Sequence, residues 1–86
     1  MIKLSGVIIT YNEEEHLRKC LSSLVDVVDE IIVVDSYSTD KTDEICKEFN
    51  VTFIQQEFLG YFEQKNFAVA QANFDHILSL DGDEAL

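Results

Sequence analysis

Two apolar runs, Val7-Ile8-Ile9 and Ile31-Ile32-Val33-Val34, constrain the fold of this chain more than any other feature. Each is too short for a helix, is rich in β-branched residues and contains no polar interruption, the pattern of a strand covered on both faces. The first predicts a strand over Leu4–Thr10 and the second a strand over Glu30–Asp35. Between them Leu17, Cys20, Leu21 and Leu24 recur at helical spacing, one inward face of an amphipathic helix. Strands joined by a helical crossover of this length pair in parallel, and the crossover is right-handed.

The alternation continues to the end of the chain. Thr42, Ile45, Cys46 and Phe49 mark a second helix, and Val51–Gln55 a third strand. After Gly60 a third helix is expected over Phe62–Asn73, and a fourth strand, His76–Leu80, runs into Asp81-Gly82-Asp83-Glu84. The reading is a single α/β domain over residues 1–86, a mainly parallel four-stranded sheet with three helices in the order β-α-β-α-β-α-β. Asn12 is placed as N-cap of the first helix, with Glu15 completing a capping box, and Asp40 or Thr39 as N-cap of the second. All the polar loops follow strand C-termini, the edge at which open α/β sheets bind ligands.

Charge narrows the partners. Acidic residues outnumber basic ones 17 to 6, and a net charge of −11 opposes contact with nucleic acid or an anionic membrane. An anionic diphosphate is still a possible ligand if carboxylates first capture a divalent cation, which then becomes the largest local charge. Cys20 and Cys46 occupy apolar helical positions without zinc-ligand neighbours and read as buried thiols. The opening Met1-Ile2-Lys3-Leu4 lacks a signal-peptide apolar stretch, and no run approaches the roughly 20 residues of a membrane span, so a cytoplasmic location is expected.

Four segments carry candidate chemistry. Thr10-Tyr11-Asn12-Glu13 offers an aromatic ring for a base to stack on, or equally a capped helix with a tyrosine packed beside it. Asp35, closing the second strand, is placed to hold ribose hydroxyls, or else joins Ser36, Ser38, Thr39 and Asp40 in a capping cluster. Lys65 in Gln64-Lys65-Asn66 could reach a phosphate or simply be solvated. Asp81-Gly82-Asp83 delivers two carboxylates from a buried strand to the ligand edge, where hard oxygen donors suit Mg2+ or Mn2+; otherwise it is an acidic turn.

Taken together, Thr10-Tyr11-Asn12-Glu13, the stretch Glu30–Ser36 with Ser38-Thr39-Asp40 and Thr42, Gln64-Lys65-Asn66, and Leu78–Glu84 resemble family 2 glycosyltransferases of the GT-A fold. The resemblance is closest to the branch of lipopolysaccharide-core glucosyltransferases and covers nearly the whole chain. It implies that the four-stranded sheet is a Rossmann-like, partial GT-A fold. It also implies that Tyr11 stacks on the donor base, Asp35 holds the nucleoside, Lys65 lies near the diphosphate, and Asp81 and Asp83 form an Asp-x-Asp motif with Asp83 on the metal. Two positions depart from the pattern. Ser36 stands where many members have a second Asp, and Tyr37 where this branch usually has Gly, so a positive-φ turn there would be strained.

The implied function is binding of a nucleoside diphosphate sugar, a UDP-hexose, through Mg2+ or Mn2+, with Thr10, Tyr11, Asn12, Glu13, Asp35, Lys65 and Asp81 on the donor and Asp81 and Asp83 on the metal. Family members extend well beyond the Asp-x-Asp motif, and their acceptor base lies there. The chain is therefore expected to be a donor-binding half truncated after that motif, inactive alone, with exposed edges that favour self-association. Two rivals stand beside this reading. A haloacid dehalogenase-like phosphatase would carry its acidic pair after the first strand rather than the fourth, and a non-catalytic α/β binding or assembly module would lack donor affinity altogether.

Overall fold

The computed structural model of the chain describes residues 3–81. Its elements are β1 (Leu4–Thr10), α1 (Glu14–Leu24), β2 (Glu30–Asp35), α2 (Thr42–Lys47), β3 (Thr52–Gln55), α3 (Tyr61–Ala70) and β4 (His76–Asp81). The strands form one sheet in the order β3-β2-β1-β4, and every pairing is parallel. This is the expected α/β sheet with three helices.

Because successive strand residues point to opposite faces, each apolar run feeds two cores at once. Ile8, Ile31, Val33 and Leu80 meet Leu17, Cys20, Leu21 and Leu24 of α1 and Ile45 and Cys46 of α2 on one face. On the other, Val7, Ile9, Ile32 and Val34 meet Ala68 of α3, with Phe67 and Ile54 packed alongside. Removing a leucine side chain from the fully enclosed first core, at Leu17, Leu21 or Leu24, would cost about 2–5 kcal/mol through lost transfer energy and an unfilled cavity. Gly6 permits a close approach here, since a Cβ on it would stand 3.2 Å from Val28 Cγ2. Both cysteines are buried, as expected. Burial first, then the nearby negative charges of Asp35 and Asp43, push the Cys46 thiol up to about 12, so it stays a neutral packing group.

The helix starts differ from the sequence reading. Asn12 is not an N-cap; it sits in the left-handed region at φ 50°, and α1 begins beyond it with no side-chain cap of its own. Its first amides are satisfied from elsewhere in the chain: Glu13 N–H donates to Thr42 Oγ1 at 3.3 Å and Glu14 N–H to Asp40 Oδ2 at 3.1 Å. The other Asp40 oxygen accepts the Thr42 amide at 3.0 Å and its hydroxyl at 2.5 Å, so one carboxylate serves two helix starts. Asp40 thus does the capping work expected of it, although Lys41 is the half-helical residue.

Element boundaries also move. The Val51 amide donates back to the Phe49 carbonyl, a turn that delays β3 to Thr52 and leaves Phe49 outside α2. Helix α3 starts at Tyr61 and stops at Ala70, short of Asn73, whose backbone and side-chain amides are taken by the Glu30 carboxylate at 2.7 and 2.8 Å.

Candidate functional site

The chain leaves β1 outward to β2 and β3, then crosses back to lay β4 on the opposite side of β1. A reversal of this kind opens a crevice beyond the carboxyl ends of the central strands, because the connections on either side depart toward opposite faces. Register fixes which residues arrive there: Thr10 stands beside Asp35, and Ile9 beside Asp81.

A cleft of about 460 Å³ occupies this place. Ile9, Thr10, Tyr11 and Glu13 line it from the end of β1 and the loop beyond, and Ser36, Gln64 and Asp81 contribute further polar groups. Phe58 and Tyr61 complete the wall, their rings meeting edge to face with centroids 5.2 Å apart. Tyr11 is 57% exposed, while its neighbour Thr10 is buried.

The remaining expected residues are placed as follows. Asn12 does not line the cleft; its side-chain oxygen accepts the Thr39 amide at 2.8 Å, and its own amide donates to Ser38 Oγ at 2.8 Å, which joins the loops after β1 and β2. Asp35 is fully buried below that junction, its carboxylate accepting the Ser38 amide at 2.8 Å and the Ser38 hydroxyl at 2.5 Å. It lies next to the cleft rather than in its wall. Lys65 reaches across from α3, with Nζ 3.6 Å from Asp81 Oδ1, and both side chains are about two-fifths exposed. Asp83, the expected metal ligand, lies outside the described residues.

Three contributors have no site role in the sequence reading. Gln64 is buried at the heart of the site, and Phe58 and Tyr61 are exposed aromatics on its rim. The sequence does hold a signal for Gln64, which precedes Ala68 by one helical turn on the inward face of α3.

A doubly covered parallel sheet with a polar and aromatic cleft at its switch point defines an open α/β domain whose ligand edge lies at that cleft. Comparison with known proteins makes this specific. The model of glycosyl transferase family 2 matches residues 5–86, and the chain belongs to that family. A glycosyltransferase of Rickettsia felis is 43% identical over 86 residues, covering 100% of this chain and 30% of the relative. The lipopolysaccharide core biosynthesis glycosyltransferase LpsC of Rhizobium meliloti is 37% identical over 90 residues, covering 99% of this chain and 33% of LpsC. The chain therefore spans about a third of the length of these relatives.

Solved structures agree in fold. Residues 1–349 of Staphylococcus aureus TarS in complex with UDP superpose with a TM-score of 0.83 at 32% identity, over 98% of this chain and 28% of that TarS piece. Glucosyl-3-phosphoglycerate synthase from Mycobacterium tuberculosis, in complex with Mn2+, UDP and glucosyl-3-phosphoglycerate, gives 0.80 at 25% identity over 98% of this chain and 36% of the synthase. The fold is thus the Rossmann-like part of a GT-A glycosyltransferase.

Proposed function

We propose that the cleft binds a nucleoside diphosphate sugar, a UDP-hexose, as the donor site of a glycosyltransferase that moves a hexose to a carbohydrate or lipid-linked acceptor. The observation that carries this reading is the meeting of Thr10, Tyr11 and Asp81 in one cleft at the switch point of the sheet. Tyr11 presents a flat, accessible ring suited to a base, and Asp81, paired with Lys65, brings opposite charges to the same cleft. Glu13 borders the same space, and Asp35 acts from beneath by fixing Ser38. The complexes of TarS with UDP and of the mycobacterial synthase with UDP and Mn2+ support a uridine nucleotide here.

The donor set fits a hard divalent ion only in part. Among the described residues no group of three or more His, Cys, Asp or Glu side chains comes together. Mg2+ and Mn2+ nevertheless take few protein ligands at nucleotide sites, usually one or two carboxylates, the phosphates and water supplying the rest. Asp81 provides one such carboxylate at the cleft, and Asp83 is proposed as the second. The ion, when bound, would offset the charge that develops on the departing diphosphate. Lys65 would add a positive point charge on the same group, and Tyr11 and Thr10 would hold the nucleoside in register with it.

Among the described residues no helix is long and apolar enough to cross a membrane. A cytoplasmic location would suit a protein that uses nucleotide sugars, and the edge strands β3 and β4 offer unpaired backbone for self-association, which light scattering would detect.

Calorimetric titration of the chain with UDP, with and without Mn2+, tests the central reading. Metal-dependent binding is expected, with the gain from Mn2+ abolished in Asp83→Asn and reduced less in Asp81→Asn. Absence of UDP binding under both conditions would return the chain to the class of non-catalytic α/β modules.

A further inference from the structure

Gln64 is 1% exposed, on the side of α3 that faces the sheet. Its side-chain nitrogen donates to Ser36 Oγ at 3.1 Å and to the Gln56 carbonyl at 3.5 Å, while its side-chain oxygen accepts the Leu59 amide at 3.2 Å. One amide group therefore joins the loop after β2, the segment after β3 and the first turn of α3. A buried amide spends its donors and acceptor in this way because leaving any of them unmade costs the desolvation of that group.

The segment it holds has no regular structure between Gln56 and Gly60, yet it carries Phe58 and leads directly to Tyr61. Those two rings line the cleft and touch each other, but neither is fixed by burial, since Phe58 is 50% and Tyr61 74% exposed. Their positions depend on the backbone that bears them, and that backbone is tied to the rest of the site through Gln64. The charged groups, Asp81 and Lys65, suit a diphosphate and its ion, whereas an aromatic wall gains nothing from either. The apolar wall is left for the planar nucleoside.

We propose that Gln64 is a positioning residue: it fixes the segment from Gln56 to Tyr61 so that Phe58 and Tyr61 form a second aromatic wall of the cleft, and this wall contacts the nucleoside of the bound nucleotide. The inference rests on the nucleotide-binding reading of the same cleft.

The chain contains no tryptophan, so Phe58→Trp installs a single indole on the wall. In that background Gln64→Glu keeps an acceptor for the Leu59 amide and loses both donated bonds, and Gln64→Leu loses all three. With circular dichroism unchanged, acrylamide quenching of the indole is expected to rise from the parent to the glutamate and again to the leucine variant. In the natural background, affinity for UDP with Mn2+ should fall about fivefold or more in Gln64→Leu and in Phe58→Ala, and the double variant should be no weaker than the worse single one, because coupled residues share one effect.

Unchanged quenching in folded Gln64 variants overturns the proposal, as does undiminished UDP affinity or fully additive losses. Should Gln64→Leu fail to fold, Gln64→Glu decides. Should the natural chain fail to bind UDP at all, the nucleotide reading falls by itself, and quenching alone then supports or overturns the positioning of the wall by Gln64.

Discussion

The side-chain oxygen of Asn12 accepts the backbone amide of Thr39 at 2.8 Å, across the gap between the loops that follow β1 and β2. The bond is returned one residue away, where Ser38 Oγ accepts the Asn12 amide and in turn donates to the buried Asp35 carboxylate. Asp35, Ser38 and Asn12 thus form a continuous latch from the sheet interior to the cleft margin, and the left-handed φ of Asn12, tolerated well by asparagine, lets its amide and side chain turn toward the same partner loop.

Breaking the latch should destabilise the chain. Asn12→Ala removes the acceptor for Thr39 and puts a less tolerant residue at positive φ, an expected loss of about 1–3 kcal/mol. Asn12→Gly relieves the backbone but not the lost acceptor, so it should be milder. Urea unfolding of the three proteins checks the order.

Acid should weaken the fold through Glu30 and Asp40. For Glu30, burial pushes the carboxyl up, but bonds from the Ser5 hydroxyl and from the side chain and backbone of Asn73 together bring it below its ordinary 4.5. For Asp40, burial again acts upward and is outweighed by bonds from Thr42 and Glu14, which bring it below 3.8. A carboxylate whose folded pKa is lowered contributes stability that is fully present above its unfolded pKa and is lost as pH falls through the folded value. Stability should therefore hold near neutrality and decline below about pH 4.5. Glu30→Gln should be less stable than the natural chain at pH 7, with the gap closing at pH 3; a gap that is constant with pH would mean that the Glu30 charge plays no part.

Nucleotide affinity should depend on the ring at position 11. Tyr11→Ala is expected to weaken UDP binding by about 1–3 kcal/mol, the usual loss when a base-stacking aromatic is removed, and Tyr11→Phe to be mild because the face is kept. Equal calorimetric affinity for the natural chain and the alanine variant, both folded, would take Tyr11 out of the site.

The sheet was legible because its signal is local: Ile31 to Val34 are apolar, β-branched and consecutive, and only a doubly covered strand uses such a run. The start of α1 was misread because its capping groups lie in another loop, Asp40 being 26 residues from the amide it accepts, and no local pattern encodes that. Asp35 was legible as an acidic strand end, but whether it faces the cleft or Ser38 depends on the loop beyond it. Gln64 stands in the Gln64-Lys65-Asn66 motif, but only Lys65 carries a role there, because Ser36, Gln56 and Leu59, the partners of Gln64, converge only once three elements are packed. The strained turn at Tyr37, anticipated from the family pattern, is present at φ 57°.

That turn yields the last prediction, in which stability changes with little change in contacts. Tyr37 holds a left-handed conformation with its side chain 59% exposed, while its amide donates to Gln55 Oε1 at 2.9 Å, a bond any non-proline residue would keep. The left-handed conformation costs an ordinary residue about 1–2 kcal/mol, and glycine avoids it at the expense of roughly 0.5–1 kcal/mol of extra unfolded-state freedom. Tyr37→Gly should therefore raise stability by a few tenths to about 1 kcal/mol, whereas β-branched Tyr37→Val should lower it by about 1–2 kcal/mol. Gly60 supplies the converse. Its φ is 97°, and a Cβ there would meet nothing within 4 Å, so Gly60→Ala should cost about 1–3 kcal/mol from backbone strain alone. Urea midpoints for the three variants decide the matter. A loss above about 1 kcal/mol in Tyr37→Gly would show that the tyrosine ring packs usefully and outweighs the strain. An unchanged midpoint in Gly60→Ala would show that the turn before α3 relaxes to a conformation open to any residue.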